Sequence, residues 1–310
     1  MKYRRLGSTK MPVSVIGIGT WQFGGEWGRD YDVAEVRDIL DRARELGINL
    51  LDTAECYGDH VSERLIGEAI EGRRGEWFVA TKFGHRYTGH FERDQLWSAD
   101  DVLRQLDASL EALRTDYVDL YQFHSGNRAA FDDAELWSAL AEQVRAGRIR
   151  HLGISIASST EDDHQATYAR EVGAEALQVV YNRLDRKPER LFFPASQHDD
   201  LGVLARVPLA SGYLSGRYRP GATFDNPSDV RSRHDPAVVR RTLEEAGRIR
   251  REEVPQGTDM ATWALAWCLQ HPAVTCVIPG CKNVAQVEAN AKAAELDLVR
   301  DDHPQAVVAA

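Results

Sequence analysis

Asn49-Leu50-Leu51-Asp52-Thr53-Ala54-Glu55-Cys56-Tyr57-Gly58 is the stretch from which the fold is read. It opens as a short apolar run of the kind that forms a buried strand, and it ends in a carboxylate, Asp52. A tight polar turn then carries a phenol, Tyr57, and closes on Gly58. A strand that delivers an acid at its C-terminal end, followed by a tyrosine on the next loop, marks a site rather than a core. Two later strand-like runs end the same way. Val79-Ala80-Thr81-Lys82 stops on a lysine and Leu120-Tyr121-Gln122-Phe123-His124 on a histidine.

Outward from that stretch the chain alternates. Strand-like runs are expected at Val15–Gly19, Asn49–Thr53, Trp77–Lys82, Val118–His124, Arg150–Ser155, Ala176–Asn182, Gly202–Leu209 and Val274–Pro279. Between them lie stretches with helical apolar spacing, such as Val33, Val36, Ile39, Leu40, Ala43 and Leu46, closed by Gly47. Eight strands alternating with helices over about 260 residues predict an α/β fold, a (β/α)8 TIM barrel in a single domain spanning residues 1–310. Gly7-Ser8 between two extended pieces predicts an N-terminal β-hairpin ahead of it. A doubly wound sheet is disfavoured, because Gly17-Ile18-Gly19-Thr20-Trp21-Gln22 places Gln22 where the dinucleotide fingerprint needs its third glycine. Two excursions, Gly84–Trp97 and Ser211–Pro236, follow strands and so belong over the barrel mouth, as a pocket wall and a cofactor clasp.

With 48 acidic and 38 basic residues the formal net charge is -10, which argues against nucleic acid as a partner. No run approaches the roughly 18 apolar residues of a membrane span, and the N-terminus shows no secretory h-region. Cys56, Cys268, Cys276 and Cys281 have no CxxC spacing, so reduced thiols in a cytoplasmic protein are expected.

Taken singly, Asp52 reads as a cap, Lys82 as surface charge, His124 as a satisfied polar residue and Tyr57 as packing. Together they make one device. A phenol titrates near ~10 and shuttles protons poorly unless its anion is stabilised. A nearby lysine ammonium does that, an aspartate holds the lysine charged, and a histidine guides a carbonyl at the same oxygen. Such a site protonates an alkoxide as it forms but supplies no electrons, so a bound cofactor is the reductant.

From Gly17 to about Ala293 the chain resembles the aldo-keto reductases, barrel enzymes that reduce carbonyls with a nicotinamide cofactor. Asp52-Thr53-Ala54-x-x-Tyr57-Gly58 is similar to that family's acid–tyrosine signature. Lys82 is similar to its strand-three lysine and His124 to its strand-four histidine. The resemblance implies Tyr57 as general acid/base, Lys82 and His124 as its tuners, and Asp52 as partner of Lys82, with no metal. It implies a nicotinamide–ribose segment at Thr20 and Trp21, carboxamide contacts from Ser155 and Gln178, and ring stacking on Tyr181. Pro208, Leu209, Ala210, Gly212, Leu214, Gly216 and Arg217 resemble the loop over the pyrophosphate. Gly280, Lys282, Asn283, Gln286 and Asn290 resemble the adenosine-phosphate motif, where a helix N-terminus favours phosphate and Lys282 adds a point charge.

The chain departs from the family pattern in places. Ile156 follows Ser155 where many members have Asn, and Asn283 stands where a second basic residue often accompanies Lys282. Ser125-Gly126-Asn127-Arg128 lacks the usual Pro/Asp-rich turn, and no long C-terminal tail closes the pocket, so an open mouth is expected. The implied activity is NADPH-dependent reduction of aldehydes and ketones, with NADP(H) preferred and NAD(H) possible. The expected partner is a small-molecule carbonyl or alcohol substrate. Two alternatives stay open: a sugar or polyol dehydrogenase on the same scaffold, and a slowly turning-over nicotinamide-cofactor-binding regulatory protein like the channel-associated β subunits. Substrate identity and oligomeric state are not legible in the residues.

Overall fold

Eight parallel strands follow one another around a single sheet, in a computed structural model that describes residues 1–307. An antiparallel hairpin, β1 (Tyr3–Arg5) and β2 (Pro12–Ser14), precedes them, as the Gly7-Ser8 turn predicted. The barrel strands are β3 (Ile18–Gly19), β4 (Leu50–Asp52), β5 (Phe78–Phe83), β8 (Val118–His124), β9 (Ile149–Ser155), β10 (Ala174–Val180), β11 (Gly202–Arg206) and β12 (Cys276–Val277). Between β5 and β8 the chain inserts a second hairpin, β6 (His85–Gly89) and β7 (Glu92–Gln95). The sheet closes on itself: Gly17 N–H donates to the Val277 carbonyl at 2.8 Å and Gly19 N–H to that of Pro279 at 3.0 Å. The (β/α)8 barrel expectation therefore holds. Strand limits are shorter than the apolar runs at the first and last strands, because closure there rests on isolated bridges rather than a continuous ladder.

Side chains alternate in and out along each strand, and this sorts the barrel interior into layers. The lower layer is apolar: Leu50, Ala80, Leu120, Ala176, Leu204 and Cys276 pack with Leu6 and Val13 of the hairpin, which plugs that end. Two residues further along the same strands stand Asp52, Lys82, Gln122, Gln178 and Arg206. The upper layer is thus polar, and it faces the mouth. The outward side chains of the same strands, such as Leu51, Val79, Tyr121 and Leu177, join the larger core beneath the helices. Helix Val33–Glu45 shows how the sequence specifies that ring. Asp32 caps it in a reciprocal capping box with Glu35, and Val36, Ile39, Leu40 and Ala43 are buried on one face.

All four cysteines are buried free thiols. Among the described residues no helix is long and apolar enough to cross a membrane.

Candidate active site

The upper layer opens into a cavity of about 320 Å³ that runs from Asp52 and Tyr57 to Lys282, Gln286 and Asn290. At its inner end β4 and β5 bring Asp52 and Lys82 together, with the ammonium Nζ 2.8 Å from Asp52 Oδ1. Lys82 is fully buried, and its three N–H donors find three acceptors: Asp52, the Thr53 carbonyl at 2.6 Å and the Tyr57 hydroxyl oxygen at 3.3 Å. The other Asp52 oxygen accepts from Gln178 Nε2 at 2.6 Å and from Gln122 Nε2 at 3.2 Å. A buried ion pair is tolerated only when its remaining lone pairs and protons are met in this way. Burial opposes the charge on Lys82, yet Asp52 and Tyr57 outweigh it and raise its pKa above the usual lysine value.

Tyr57 reaches this pair because the loop after β4 is held close. Its N–H donates to the Ala54 carbonyl at 3.1 Å, and Gly58 adopts a left-handed φ of +67°. Gly24 lies against the same turn, and a Cβ there would come within 2.5 Å of the Tyr57 backbone. Only glycine permits that approach. Burial pushes the Tyr57 phenol up to about 12 against the opposing pull of Lys82, so it carries its proton at neutral pH. Trp21 lies nearly parallel to the phenol ring at 6.2 Å.

His124 sits edge-on to Tyr57, with ring centroids 6.4 Å apart. Burial, helped by His85, Lys82, Arg206 and Arg93, holds its pKa well below the usual histidine value, so the ring is neutral. Its Nδ1 lies 3.9 Å from Cys56 Sγ, and the His85 ring stacks on it at 4.5 Å.

Of the residues expected to hold a cofactor, Thr20, Trp21, Asp52, Gln178, Pro208, Leu209, Gly212, Arg217, Gly280, Lys282, Gln286 and Asn290 line the cavity. Ser155, Tyr181, Ala210, Leu214, Gly216 and Asn283 do not. Ser155 is buried and reaches Gln178 Oε1 at 3.4 Å, so it orients that amide from behind. Tyr181 is turned into the outer core, stacked near Trp267 with its hydroxyl donating to Glu189 at 2.8 Å. Leu214 packs with Met260 and Trp263, and Asn283 caps helix Val284–Ala291 by accepting from Gln286 N–H. Ala210 and Gly216 are loop positions with φ of +48° and +73°.

Two residues were not anticipated. Arg206, at the end of β11, lines the inner cavity. Its Nη2 donates to the Ile156 carbonyl at 3.1 Å, while its Nε is sealed from solvent without a partner. It lines the pocket, whereas Tyr181, which was expected to, does not. Its signal was present, since it too is a charged residue ending a strand, but the apolar run to Leu209 hid the strand end. Gln122 was legible from its inward register two residues before His124.

The outer end of the cavity is built from loops. Lys282 Nζ donates to the Trp27 carbonyl at 2.9 Å and lies 5.5 Å from the Trp27 ring. Arg231 grips Asp229 through Nε at 2.9 Å and Nη2 at 2.6 Å, gives Nη1 to Tyr218, and stands over Phe224. The 211–236 excursion crosses the cleft and is pinned to the loop after β3: Gly28 N–H donates to Ser228 at 2.9 Å and Val230 N–H to Glu26 at 3.1 Å. The 84–97 excursion, expected as a pocket wall, does not line this cavity. Its hairpin is latched to the same loop by Glu26, a buried carboxylate that accepts from Phe91 N–H, Arg93 and Trp21 Nε1. Cations at one end and amides beside an orphaned guanidinium nitrogen at the other form a donor set that fits a dinucleotide, whose phosphates need the first and whose carboxamide needs the second.

The sequence profile of the Aldo/keto reductase family matches residues 15–307. The uncharacterized oxidoreductase YqkF of Bacillus subtilis is 30% identical over 311 residues, covering 99% of this chain and 95% of the relative. A probable voltage-gated potassium channel subunit beta of Arabidopsis thaliana is 30% identical, covering 96% and 92%. The holo form of aldo-keto reductase AKR11C1 from Bacillus halodurans superposes with a TM-score of 0.78 at 33% identity, over 96% of this chain and 91% of that one. With the closed barrel and these matches, the chain belongs to the aldo/keto reductase family of NAD(P)H-dependent oxidoreductases.

Proposed function

We propose that this chain reduces aldehydes or ketones to alcohols, with NADPH as hydride donor and Tyr57 as the general acid. One observation carries the reading. The Tyr57 oxygen accepts an N–H from Lys82, and an ammonium offers no acceptor in return. The phenol proton is therefore directed away from Lys82, and Tyr57 lines the cavity. The nicotinamide, when bound, supplies the hydride. Gln178 and Arg206 would hold and orient its carboxamide end, and Arg231, Lys282 and Arg217 its phosphates. Lys82 stabilises the negative charge left on Tyr57 once the proton has moved to the alkoxide oxygen, and Asp52 keeps Lys82 charged and in place. Neutral His124, edge-on to the Tyr57 ring, would donate one N–H to the carbonyl oxygen and help to place it. The lean toward NADPH over NADH rests on Lys282, joined at that end by Arg231 in place of a second basic residue at position 283.

The deciding experiment is NADPH consumption with a panel of aldehydes, α-dicarbonyls and aldoses, run beside Tyr57→Phe. Turnover that collapses in the variant while NADPH still binds supports the reading. Turnover undiminished in Tyr57→Phe overturns the proton donor. Similarity to the plant channel subunit favours a second reading, a cofactor-binding regulatory protein that turns over slowly. Tight NADPH binding with no turnover on any carbonyl or alcohol would select it.

A further inference from the structure

Beside Tyr57 lies a group of three side chains of which the proposed reaction uses only His124. Cys56, one residue before Tyr57, and His85, the first residue of the inserted hairpin, converge with His124. One ligand atom from each lies within 4.8 Å of the other two. It is the only such convergence of three His, Cys, Asp or Glu side chains among the described residues. The Cys56 Sγ to His124 Nδ1 separation is 3.9 Å. In a tetrahedral zinc site with the usual bond lengths, ligand atoms stand roughly 3.3–3.6 Å apart, so small side-chain rotations bring these three into range.

A second observation points to a ligand. Both ring nitrogens of His85 are sealed from solvent, and neither has a hydrogen-bond partner. A neutral imidazole carries one N–H and one lone pair, so a donor and an acceptor are both unmet inside the protein. Packing does not require a histidine there, since an apolar ring would stack on His124 equally well. The backbone around it is already fixed: His85 N–H donates to Glu55 Oε1 at 2.9 Å, and Gln105 Nε2 donates to the His85 carbonyl at 2.9 Å. On the other side Arg93 Nη2 donates to the Cys56 carbonyl at 3.2 Å. The three side chains are thus held from three elements, the loop after β4, the start of β6 and the end of β8.

We propose that Cys56, His85 and His124 form a site for a soft divalent cation, Zn²⁺ or its analogues, whose occupancy switches the reductase off. One thiolate and two imidazoles suit zinc and disfavour magnesium or calcium, which take oxygen ligands. A metal–Sγ bond forms as the thiol proton leaves to solvent, and two dative bonds form from imidazole lone pairs. The thiolate charge offsets part of the repulsion from Lys82, Arg93 and Arg206. Ligation removes one His124 nitrogen from service and sets a cation beside Tyr57. The switching part rests on the reductase reading above; the binding part does not.

Titration of the full chain with Co²⁺ tests the binding. One equivalent should give a thiolate-to-cobalt charge-transfer band in the near ultraviolet, displaced by Zn²⁺ and absent in both Cys56→Ser and His85→Gln. No band, or an equal band in both variants, overturns the site. Cys268, Cys276 and Cys281 are the thiols that such a residual band would report. Saturating Zn²⁺ should lower carbonyl turnover at least tenfold, reversibly with a chelator, with each variant measured against its own metal-free rate. Turnover unchanged by Zn²⁺ while the cobalt band is present overturns the switch. If no carbonyl is turned over at all, the reductase reading falls and the cobalt spectrum still decides the site.

Discussion

The two ends of the cleft are built by different means. The inner end stands on the ends of strands: Asp52 closes β4, Lys82 lies one residue before the end of β5, Gln178 two residues before the end of β10, and Arg206 closes β11. Its ion pair is buried, and every N–H of the ammonium is met. The outer end stands on loops. Arg231 and Lys282 are held there by a carboxylate, one backbone carbonyl and the faces of Phe224 and Trp27. The difference follows from what each end must do. In the function proposed above, a proton donor would need geometry fixed before the substrate arrives, whereas a grip on phosphates would have to let a large cofactor in and out.

Each prediction tests that contrast, and the largest effect belongs to the inner end. Tyr57→Phe removes the proton donor and the longest of the three Lys82 contacts while leaving the Asp52 pair in place, so kcat for carbonyl reduction should fall by about 10²–10⁴-fold. The Kd for NADPH should change less than about twofold, read by fluorescence titration. A similar fall in cofactor affinity would mean the two ends are not separable.

Lys82→Met breaks a buried pair and leaves Asp52 uncompensated. Chemical denaturation should show a loss of about 3–5 kcal/mol of stability. A loss near zero would mean that the inner end is as adaptable as the outer one.

At the outer end the effects are smaller. Lys282→Ala should weaken NADPH about tenfold, roughly 1.4 kcal/mol, and leave NADH unchanged. Equal affinities in the wild type would remove the NADPH preference. Arg231→Lys keeps the charge but loses the two-pronged hold on Asp229, so NADPH should dissociate a few-fold faster with its association rate unchanged.

The mildest test is pH. Tyr57, at about 12, gives up its proton only in strong alkali. Reduction needs the protonated phenol, so its rate should show no break from Tyr57 between about pH 6 and about pH 10. Alcohol oxidation needs the phenolate and should rise with pH over the same range. A break in reduction near neutrality would assign the proton to another group.

Much of this was legible in the residues before any fold was known. Alternating strand and helix signals specify the barrel because each strand must bury both faces and each helix one stripe. Asp52, Lys82 and His124 announce themselves as charged or titratable residues ending apolar runs, which burial would otherwise exclude. The N-terminal hairpin follows from Gly7-Ser8 between extended pieces, where a left-handed turn needs glycine.

Other features only the closed barrel decided. Whether Tyr181 or Arg206 faces the cavity depends on where β10 and β11 end relative to their neighbours. Local sequence does not encode that limit, because it is set by the register of a sheet that curls back on itself. The clasp behaves likewise: residues 26–30 and 226–231 are some 200 positions apart, and their pairing exists because both loops leave the same barrel rim. The meeting of Cys56, His85 and His124 is of the same kind. Nothing in the segments around Cys56 and His85 links them to His124, and only the convergence of three separate elements gives the three a common chemistry.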